Sequence, residues 1–315
     1  MTVRLGIVMD PIGSIRYKKD ATLAMLWEAQ ARGWQIYYFE LKDLFLSDGI
    51  AYGNSQLLTV AHDEKAWFSF GEQKTLPLSE LDVILMRKDP PFNEEYIHAT
   101  YLLEYAERSG VFVLNRPQAL RDCNEKLFAT YFPAFTPPTL VTQSPKQLRD
   151  FWLEHEDIVC KPLNDMGGTS VFRLPKHEVN ANAIFDNLTH RGSFYAMAQK
   201  FIPDIVIGDK RIILINGEPL AHAWLRVPQA GDWRGNHVMG AIGQPTSLSA
   251  RDLEICAALG PVLRERGLYF VGIDVIGDYL TEINITSPGC VREIDAALGS
   301  NISAQLFDLI EHFIK

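Results

Sequence analysis

Three oxygen-bearing side chains near the end of the chain, Asp274, Glu282 and Asn284, are spaced so that they could share one divalent cation. Asp274 interrupts an otherwise apolar stretch, Phe270-Val271-Gly272-Ile273-Asp274-Val275-Ile276. A carboxylate inside such a strand is costly unless it is paired or metal-bound. Glu282 and Asn284 lie two apart in the next β-rich stretch, which puts them on one face of a strand. With no histidine or thiol in the set, hard oxygen donors of this kind suit Mg²⁺ or Mn²⁺. Register decides whether they meet. A two-residue turn at Gly277-Asp278 would set Asp274 opposite Thr281, with Glu282 on the other face. A three-residue loop, Gly277-Asp278-Tyr279, would set Asp274 opposite Glu282. The competing reading is the polar outer face of an ordinary hairpin.

The cationic candidates come earlier in the chain. Lys161 closes the strand-like run Ile158-Val159-Cys160-Lys161 and precedes the loop Asn164-Asp165-Met166-Gly167-Gly168-Thr169. A lysine placed there can meet a phosphate, and the N–H groups of Gly167 and Gly168 can approach phosphate oxygens that a Cβ would obstruct. The loop is neither a P-loop nor a dinucleotide-binding fingerprint. Lys126, in Asp122-Cys123-Asn124-Glu125-Lys126, reads on its own as a solvated helix residue. Arg211, Arg226 and Arg292 are each ordinary surface residues when taken singly. Around one metal they would form an anion-binding rim.

These groups need a scaffold. Val3–Met9 reads as a buried strand, Asp20 through Arg32 as a helix stopped by Gly33, and Trp34–Glu40 as a second strand. Asp82–Arg87, Asn93–Ser109 and Val111–Asn115 repeat the pattern, so the first 120 residues or so predict a small α/β domain with a parallel sheet. Ala119–Phe132 reads as a helix ended by Pro133, and Ser144-Pro145 as a helix start. Strands at Ile158–Pro162, Ser170–Leu174 and Phe194–Phe201, with a helix near Asn182–Leu188, form an α+β unit. Asn216-Gly217 between Lys210–Ile215 and Glu218–Val227 is a hairpin signal. Pro228 to Pro245, which carries Trp233 and Arg234, has no periodicity and reads either as a lid or as a surface insertion. A helix at Ala250–Arg266, strands at Tyr269–Ile276 and Tyr279–Ile285, and a terminal helix complete the chain.

Composition narrows the function. The chain has 315 residues, two or three domains' worth. Lys plus Arg number 30 against 39 Asp plus Glu, a net charge of −9, which argues against nucleic acid or an anionic membrane as the main partner. The four cysteines form no C-x-x-C pair and the eight histidines no metal-binding spacing. Scattered thiols, no signal peptide and no apolar run near ~18 residues predict a cytoplasmic protein that does not cross a membrane.

The order of these features resembles the ATP-grasp ligases: Lys, strand-end Lys, Gly-rich loop, hinge strand, Arg, long loop, Asp, then Glu-x-Asn. More narrowly, the whole chain is similar to the bacterial glutathione synthetases. The likeness is carried by Leu5-Gly6-Ile7-Val8-Met9-Asp10-Pro11, Met86-Arg87-Lys88-Asp89-Pro90-Pro91-Phe92, Gly272 through Asp278, Thr281-Glu282-Ile283-Asn284 and Arg292-Glu293-Ile294. It implies an N-terminal α/β substrate domain (1–121), a central lid domain (122–201), and a C-terminal domain (202–315) with a flexible loop at 228–245. By the same resemblance, Lys126 and Lys161 would contact ATP phosphates under Gly167 and Gly168. Gln199, Lys200, Phe201 and Ile202 would form the adenine hinge, and Asp209 would reach the ribose. Asp274, Glu282 and Asn284 would hold the metal. Arg211, Arg226 and Arg234 would serve the transferring phosphoryl group, and Arg226, Ser287 and Arg292 the peptide substrate.

The implied reaction joins γ-glutamylcysteine and glycine with cleavage of ATP, in a homo-oligomer that the family makes a tetramer. Two positions depart from the family pattern: Asp165 stands where a glycine is usual, and Gly240-Ala241-Ile242 where Gly-Gly-Arg is usual. Another ATP-grasp carboxylate–amine ligase, or an ATP-binding regulatory protein without turnover, are the rival readings.

Overall fold

A computed structural model describes residues 2–165, 167–229, 231–235 and 242–315. Met166 and the middle of the expected lid, including Gly240-Ala241, lie outside the described residues. Three sheets organise the chain.

The first sheet contains β1 (Arg4–Val8), β2 (Gln35–Phe39), β3 (Leu44–Ser47), β4 (Ile50–Val60), β5 (Phe68–Pro77), β6 (Val83–Met86) and β7 (Phe112–Leu114). Its centre, β2-β1-β6-β7, is parallel, as the βαβ alternation predicts. The crossovers are α1 (Ala21–Ala31), capped by Asp20, and α2 (Glu94–Arg108), capped by Asn93. In each, the cap carboxyl or amide oxygen accepts an N–H of the first turn that has no helical partner. Residues 44–77 add antiparallel strands β3, β4 and β5, which the alternation does not anticipate.

Next comes α3 (Pro117–Asp122), which is shorter than the expected helix over Ala119–Phe132. The helix stops because the Asn124 carboxamide oxygen accepts from the Lys126 and Leu127 amides, a local turn that competes with helix continuation. A 3₁₀ turn at Phe128–Tyr131 follows.

The second sheet is antiparallel, in the order β10-β9-β11-β8, from β8 (Thr139–Thr142), β9 (Ile158–Pro162), β10 (Phe172–Leu174) and β11 (Ala196–Lys200). Helices α4 (Pro145–His155) and α5 (Ala181–Leu188) cover it. Ser144 caps α4, with Pro145 in its first turn. Leu148, Trp152, Phe185 and Ala198 form a core of their own.

The third sheet is β15-β14-β12-β16-β17, with β13 beside β12. Its strands are β12 (Asp209–Ile215), β13 (Glu218–Pro219), β14 (His222–Val227), β15 (Ile242–Ser247), β16 (Phe270–Ile276) and β17 (Tyr279–Asn284). The β12–β13 turn places Asn216 and Gly217 both at positive φ, the backbone an Asn-Gly hairpin supplies. The end of the stretch that lacks periodicity is not a loop: β15 pairs along β14, with Pro245 opposite Trp224. Proline is tolerated there because β15 is an edge strand. Helices α6 (Ala250–Arg266), α7 (Val291–Leu298) and α8 (Ile302–Ile314) complete the fold. Among the described residues no helix is long and apolar enough to cross a membrane.

The first and third sheets share continuous apolar packing. One cluster runs from Phe39 and Leu103 to Val271 and Leu280, and another from Ile7 and Leu26 to Phe270 and Leu306. Asn115 fixes their relation. Its buried amide donates to the Phe270 and Ile285 carbonyls at 2.8 and 2.7 Å and accepts from the Tyr269 and Phe270 amides at 2.8 and 3.0 Å. Asn115→Ala would orphan those backbone groups. We expect a lower urea midpoint and a loss of about 2–4 kcal/mol, measured by chemical denaturation.

Candidate active site

Asp274 and Glu282 face each other across β16 and β17, but not by the three-residue loop that the sequence allows. The turn is the two-residue one, so Ile276 pairs with Tyr279 and Val275 with Leu280. A bulge at Thr281 then inserts one residue, and the pairing resumes with Asp274 opposite Glu282 and Gly272 opposite Asn284. The Thr281 hydroxyl donates to the Asp274 carbonyl at 3.1 Å, and its own carbonyl accepts from Lys161 Nζ at 3.4 Å.

Asp274 is 5% exposed and held by two arginines. Arg211, opposite it on β12, donates from Nε at 2.5 Å and from Nη2 at 2.9 Å. Arg226 Nη2 on β14 lies 2.9 Å away. Burial alone would raise the Asp274 pKa, but the two guanidiniums overcome it and hold the carboxyl well below the usual range. It is ionised wherever the protein is folded near neutrality. Asp209 neighbours the same pair: one oxygen accepts from Arg226, while Oδ1 is buried without a hydrogen-bond partner. Burial, with the Asp274 charge nearby, pushes its pKa up despite Arg226.

Lys126 reaches the site from the broken helix. Its ammonium lies 3.1 Å from Glu282 Oε1 and donates to the Asp165 carbonyl. Burial opposes its charge, but Glu282 and Glu125 outweigh that and raise its pKa. Because Lys126 meets the main-chain oxygen of residue 165, the aspartate side chain at that position does not interrupt the contact. Glu125 is buried beside it and accepts from Ile285 N, Thr286 N and Thr286 Oγ1, tying this segment to the end of β17. Lys161 differs from Lys126. Buried, and beside the like charge of Lys126, it is pushed down to about 8 even though Glu282 is near.

Gly167 and Gly168 both have positive φ, backbone that side-chained residues rarely adopt. Arg234 Nη1 donates to the Gly168 carbonyl at 3.0 Å and pairs with Asp232, which ties the two loops together. At the hinge the Lys200 and Phe201 amides donate to the Pro138 and Asp157 carbonyls. Phe201 lies under the Arg173 guanidinium, 3.6 Å from its ring centroid. Ile242, at the start of β15 opposite Val227, is exposed.

One cavity of about 680 Å³ collects nearly all the residues singled out from the sequence. Lys126, Lys161, Gly167, Gly168, Gln199, Lys200, Phe201, Ile202 and Asp209 line it, as do Arg211, Arg226, Arg234, Asp274, Glu282, Asn284 and Ser287. Arg292 does not line it. Its guanidinium packs 4.6 Å from the Trp27 ring centroid and 5.3 Å from that of Tyr17. Sequence reasoning missed the N-terminal wall: Asp10, Lys19, Asp20, Arg87 and Asp89, with Glu293 from α7. A signal was present. Met9-Asp10 and Arg87 follow the carboxyl ends of parallel strands β1 and β6, where open α/β sheets bind ligands.

The donor set fits a hard cation. Among the described residues no three His, Cys, Asp or Glu side chains gather as a metal cluster. The set here is two facing carboxylates and a carboxamide, with Asn284 Nδ2 3.3 Å from Asp274 Oδ2. Rotating the amide by half a turn offers its oxygen at the same place.

Two lysines, a glycine loop, a hinge strand and an oxygen donor set between two antiparallel sheets define an ATP-grasp ligase. Solved structures of that class share the fold. The ATP-grasp ligase PsnB, complexed with a phosphomimetic variant of its minimal precursor, Mg and ADP, superposes with a TM-score of 0.65 at 19% identity, covering 99% of this chain and 98% of that one. D-cycloserine synthetase DcsG gives 0.65 at 13% identity, covering 98% and 99%. Sequence narrows the class. Residues 3–121 match the prokaryotic glutathione synthetase N-terminal domain and 125–299 the ATP-grasp domain of the same family. The glutathione synthetase of Pseudomonas putida (strain KT2440) is 54% identical over 315 residues, and that of Vibrio vulnificus (strain YJ016) 51%, each with 100% of this chain and 99% of the relative covered. The chain belongs to the prokaryotic glutathione synthetase family.

The depressed Lys161 pKa has a consequence for nucleotide binding. Below about pH 8 the ammonium is charged, so ATP affinity should be flat. If Lys161 is the phosphate-contacting lysine that the family resemblance implies, each unit of pH above about 8 should weaken ATP binding by up to about tenfold. Calorimetric Kd values from pH 6.5 to 9.5 check this. Lys161→Arg, which stays protonated, should flatten the profile.

Proposed function

We infer that this chain joins glycine to γ-glutamylcysteine, with ATP cleaved to ADP and phosphate. The observation that carries the reading is the single cavity in which Lys126 and Lys161 meet the Asp274–Glu282–Asn284 set, in a chain matched almost end to end by one ligase family.

A carboxylate is a poor electrophile and must be activated. The cysteinyl carboxylate oxygen attacks the γ-phosphorus, the bond to the bridging oxygen breaks, and ADP leaves an acyl phosphate behind. Glycine's neutral amine then attacks the carbonyl carbon. The C–O bond to phosphate breaks, phosphate leaves, and the nitrogen sheds its proton. We assign that proton to no residue. A divalent ion, Mg²⁺ in our assignment with Mn²⁺ as the alternative, neutralises phosphate charge when bound. Asp274, Glu282 and Asn284 would hold it. Lys126 and Lys161 balance the charge that spreads over the phosphate oxygens. Gly167 and Gly168 close over the phosphates through main-chain N–H groups.

With the Lys200 and Phe201 amides already engaged, the Ile202 amide is the hinge donor left for adenine, while Gln199 and Phe201 wall the base. The unused Oδ1 of Asp209 is the acceptor for ribose. Arg211 and Arg226, drawn toward Asp274, face the transferring phosphoryl group and the reacting carboxylate, and Ser287 contacts the peptide. Arg234, bonded to the Gly168 carbonyl, closes the loop at 228–245 against the glycine loop and keeps water from the acyl phosphate. Arg292, buttressed by two aromatic rings, is a positioning residue in this scheme.

We divide the chain at 121 and 201. The separate core of the second sheet supports treating it as a lid. Exposed Phe45, Leu46 and Ile50 on the first sheet support a homo-oligomer, a tetramer by family likeness. Four buried, unbridged cysteines support the cytoplasm as its compartment.

Phosphate release from ATP should require both γ-glutamylcysteine and glycine. Release that depends on another amino acid would favour a different ligase, and none with any pair a non-catalytic ATP-binding protein. Glu282→Gln should cut turnover by roughly 10²-fold or more with the far-ultraviolet circular dichroism unchanged, the scale on which one charge-stabilising group acts. Activity within a few-fold of wild type at saturating metal would remove the metal assignment.

A further inference from the structure

Three consecutive residues of the long loop touch three different parts of the hinge end of the cavity. Trp233 packs edge-on against Phe201 of the hinge, with 6.0 Å between ring centroids and the planes at 75°. Arg234 donates to the Gly168 carbonyl of the glycine loop at 3.0 Å. Gly235 is buried, and a Cβ there would stand 2.7 Å from Asp209 Cβ, 3.1 Å from the Arg226 carbonyl oxygen and 3.3 Å from Ile205 Cδ1. Glycine answers here to closeness of approach rather than to backbone conformation. Phe201 is fixed independently of the loop. The Arg173 guanidinium lies 3.6 Å from its ring centroid, and Asp157 holds that guanidinium at 3.1 and 2.7 Å. The Asp157 carbonyl also accepts from the Phe201 amide at 2.9 Å.

A tryptophan in the run Gly231-Asp232-Trp233-Arg234-Gly235 belongs to none of the three apolar cores. It stays half-buried and lines the catalytic cavity together with Phe201 and Ile205. The same three residues line a second cavity of about 480 Å³. They are therefore a partition whose inner side faces the catalytic cavity, and an apolar, aromatic wall of this kind suits a flat heterocyclic ring. Resting on the hinge reading above, we propose that residues 233–235 roof the nucleoside. Trp233 and Phe201 together enclose the base, Gly235 lies over the ribose beside Asp209, and Arg234 points toward the phosphates through the glycine loop. Trp233 is then a residue that determines nucleotide affinity. The long loop reads the nucleoside itself, a role separate from keeping water away from the acyl phosphate.

The test uses the full chain with Mg²⁺ and compares two ligands by calorimetry: ADP, and ribose 5-diphosphate, which lacks only the adenine. In Trp233→Ala, ADP binding should weaken by roughly tenfold, the scale on which one aromatic wall holds a base, while ribose 5-diphosphate stays within about twofold of wild type. Trp233→Phe keeps a ring at that position and should hold ADP within about threefold of wild type. Gly235→Ala should weaken both ligands, since both carry the ribose. Equal losses on the two ligands in Trp233→Ala would make the indole only a prop for the loop and overturn the proposal. So would an unchanged ADP affinity in that variant, or an unaltered affinity for ribose 5-diphosphate in Gly235→Ala. Wild type that binds neither ligand would instead be a failure of the hinge reading, and the proposal would fall with it.

Discussion

Everything in the site depends on keeping one carboxylate, Asp274, ionised inside a largely apolar sheet. Two guanidiniums surround it, from the two strands stacked beyond its own. Such a cluster is weak evidence of stability, since desolvating three charges offsets much of their attraction, and a well-packed apolar set often does as well. Its persistence in the middle of a core that otherwise reads Ile212, Ile213, Ile273 and Val275 is therefore a statement about function. A permanently charged carboxylate stands at the cavity wall, with two arginines held beside it. The bulge at Thr281 is the backbone's part of the arrangement. Without it Glu282 would point to the opposite side of the sheet.

The same logic explains the interruption after α3. A continuous helix through 132 would leave Glu125 and Lys126 on its surface. The Asn124 turn instead sends Glu125 inward to cap the end of β17 and Lys126 toward Glu282 and the Asp165 carbonyl. Lys126 thus spans two bodies: the fused core of the first and third sheets, and the second sheet with its separate core. Arg234 makes a second bridge, to Gly168. The end of the second sheet also meets the long loop through an edge-on contact between Phe201 and Trp233, 6.0 Å between ring centroids.

Much of this was legible in the sequence. A carboxylate in an apolar strand, a lysine closing another and paired glycines each break a local rule, and such conflicts concentrate at functional sites. The parallel centre of the first sheet followed from βαβ alternation. What did not follow depended on competition between near-equal local choices. The Thr281 bulge leaves no mark in a stretch that reads as an even strand. Asn124 captures two amides that a helix would otherwise take. Strand β15 carries a proline and three polar residues and is recognisable only by its partner β14. Arg292 and Glu293 show the limit most sharply. They are neighbours in sequence, yet one turns to the faces of Tyr17 and Trp27 and the other to the cavity.

Net charge of −9 and an anion-binding centre are reconciled by position. Lys126, Lys161, Arg211, Arg226 and Arg234 all line the one cavity, whatever the sign of the whole chain. The cavity wall carries both signs: lysines, the Asp274 and Glu282 carboxylates, arginines, and Glu293 with Arg87. Arg211 and Arg226 neutralise Asp274 within the sheet, so the cavity keeps a mixed rather than a uniformly cationic wall.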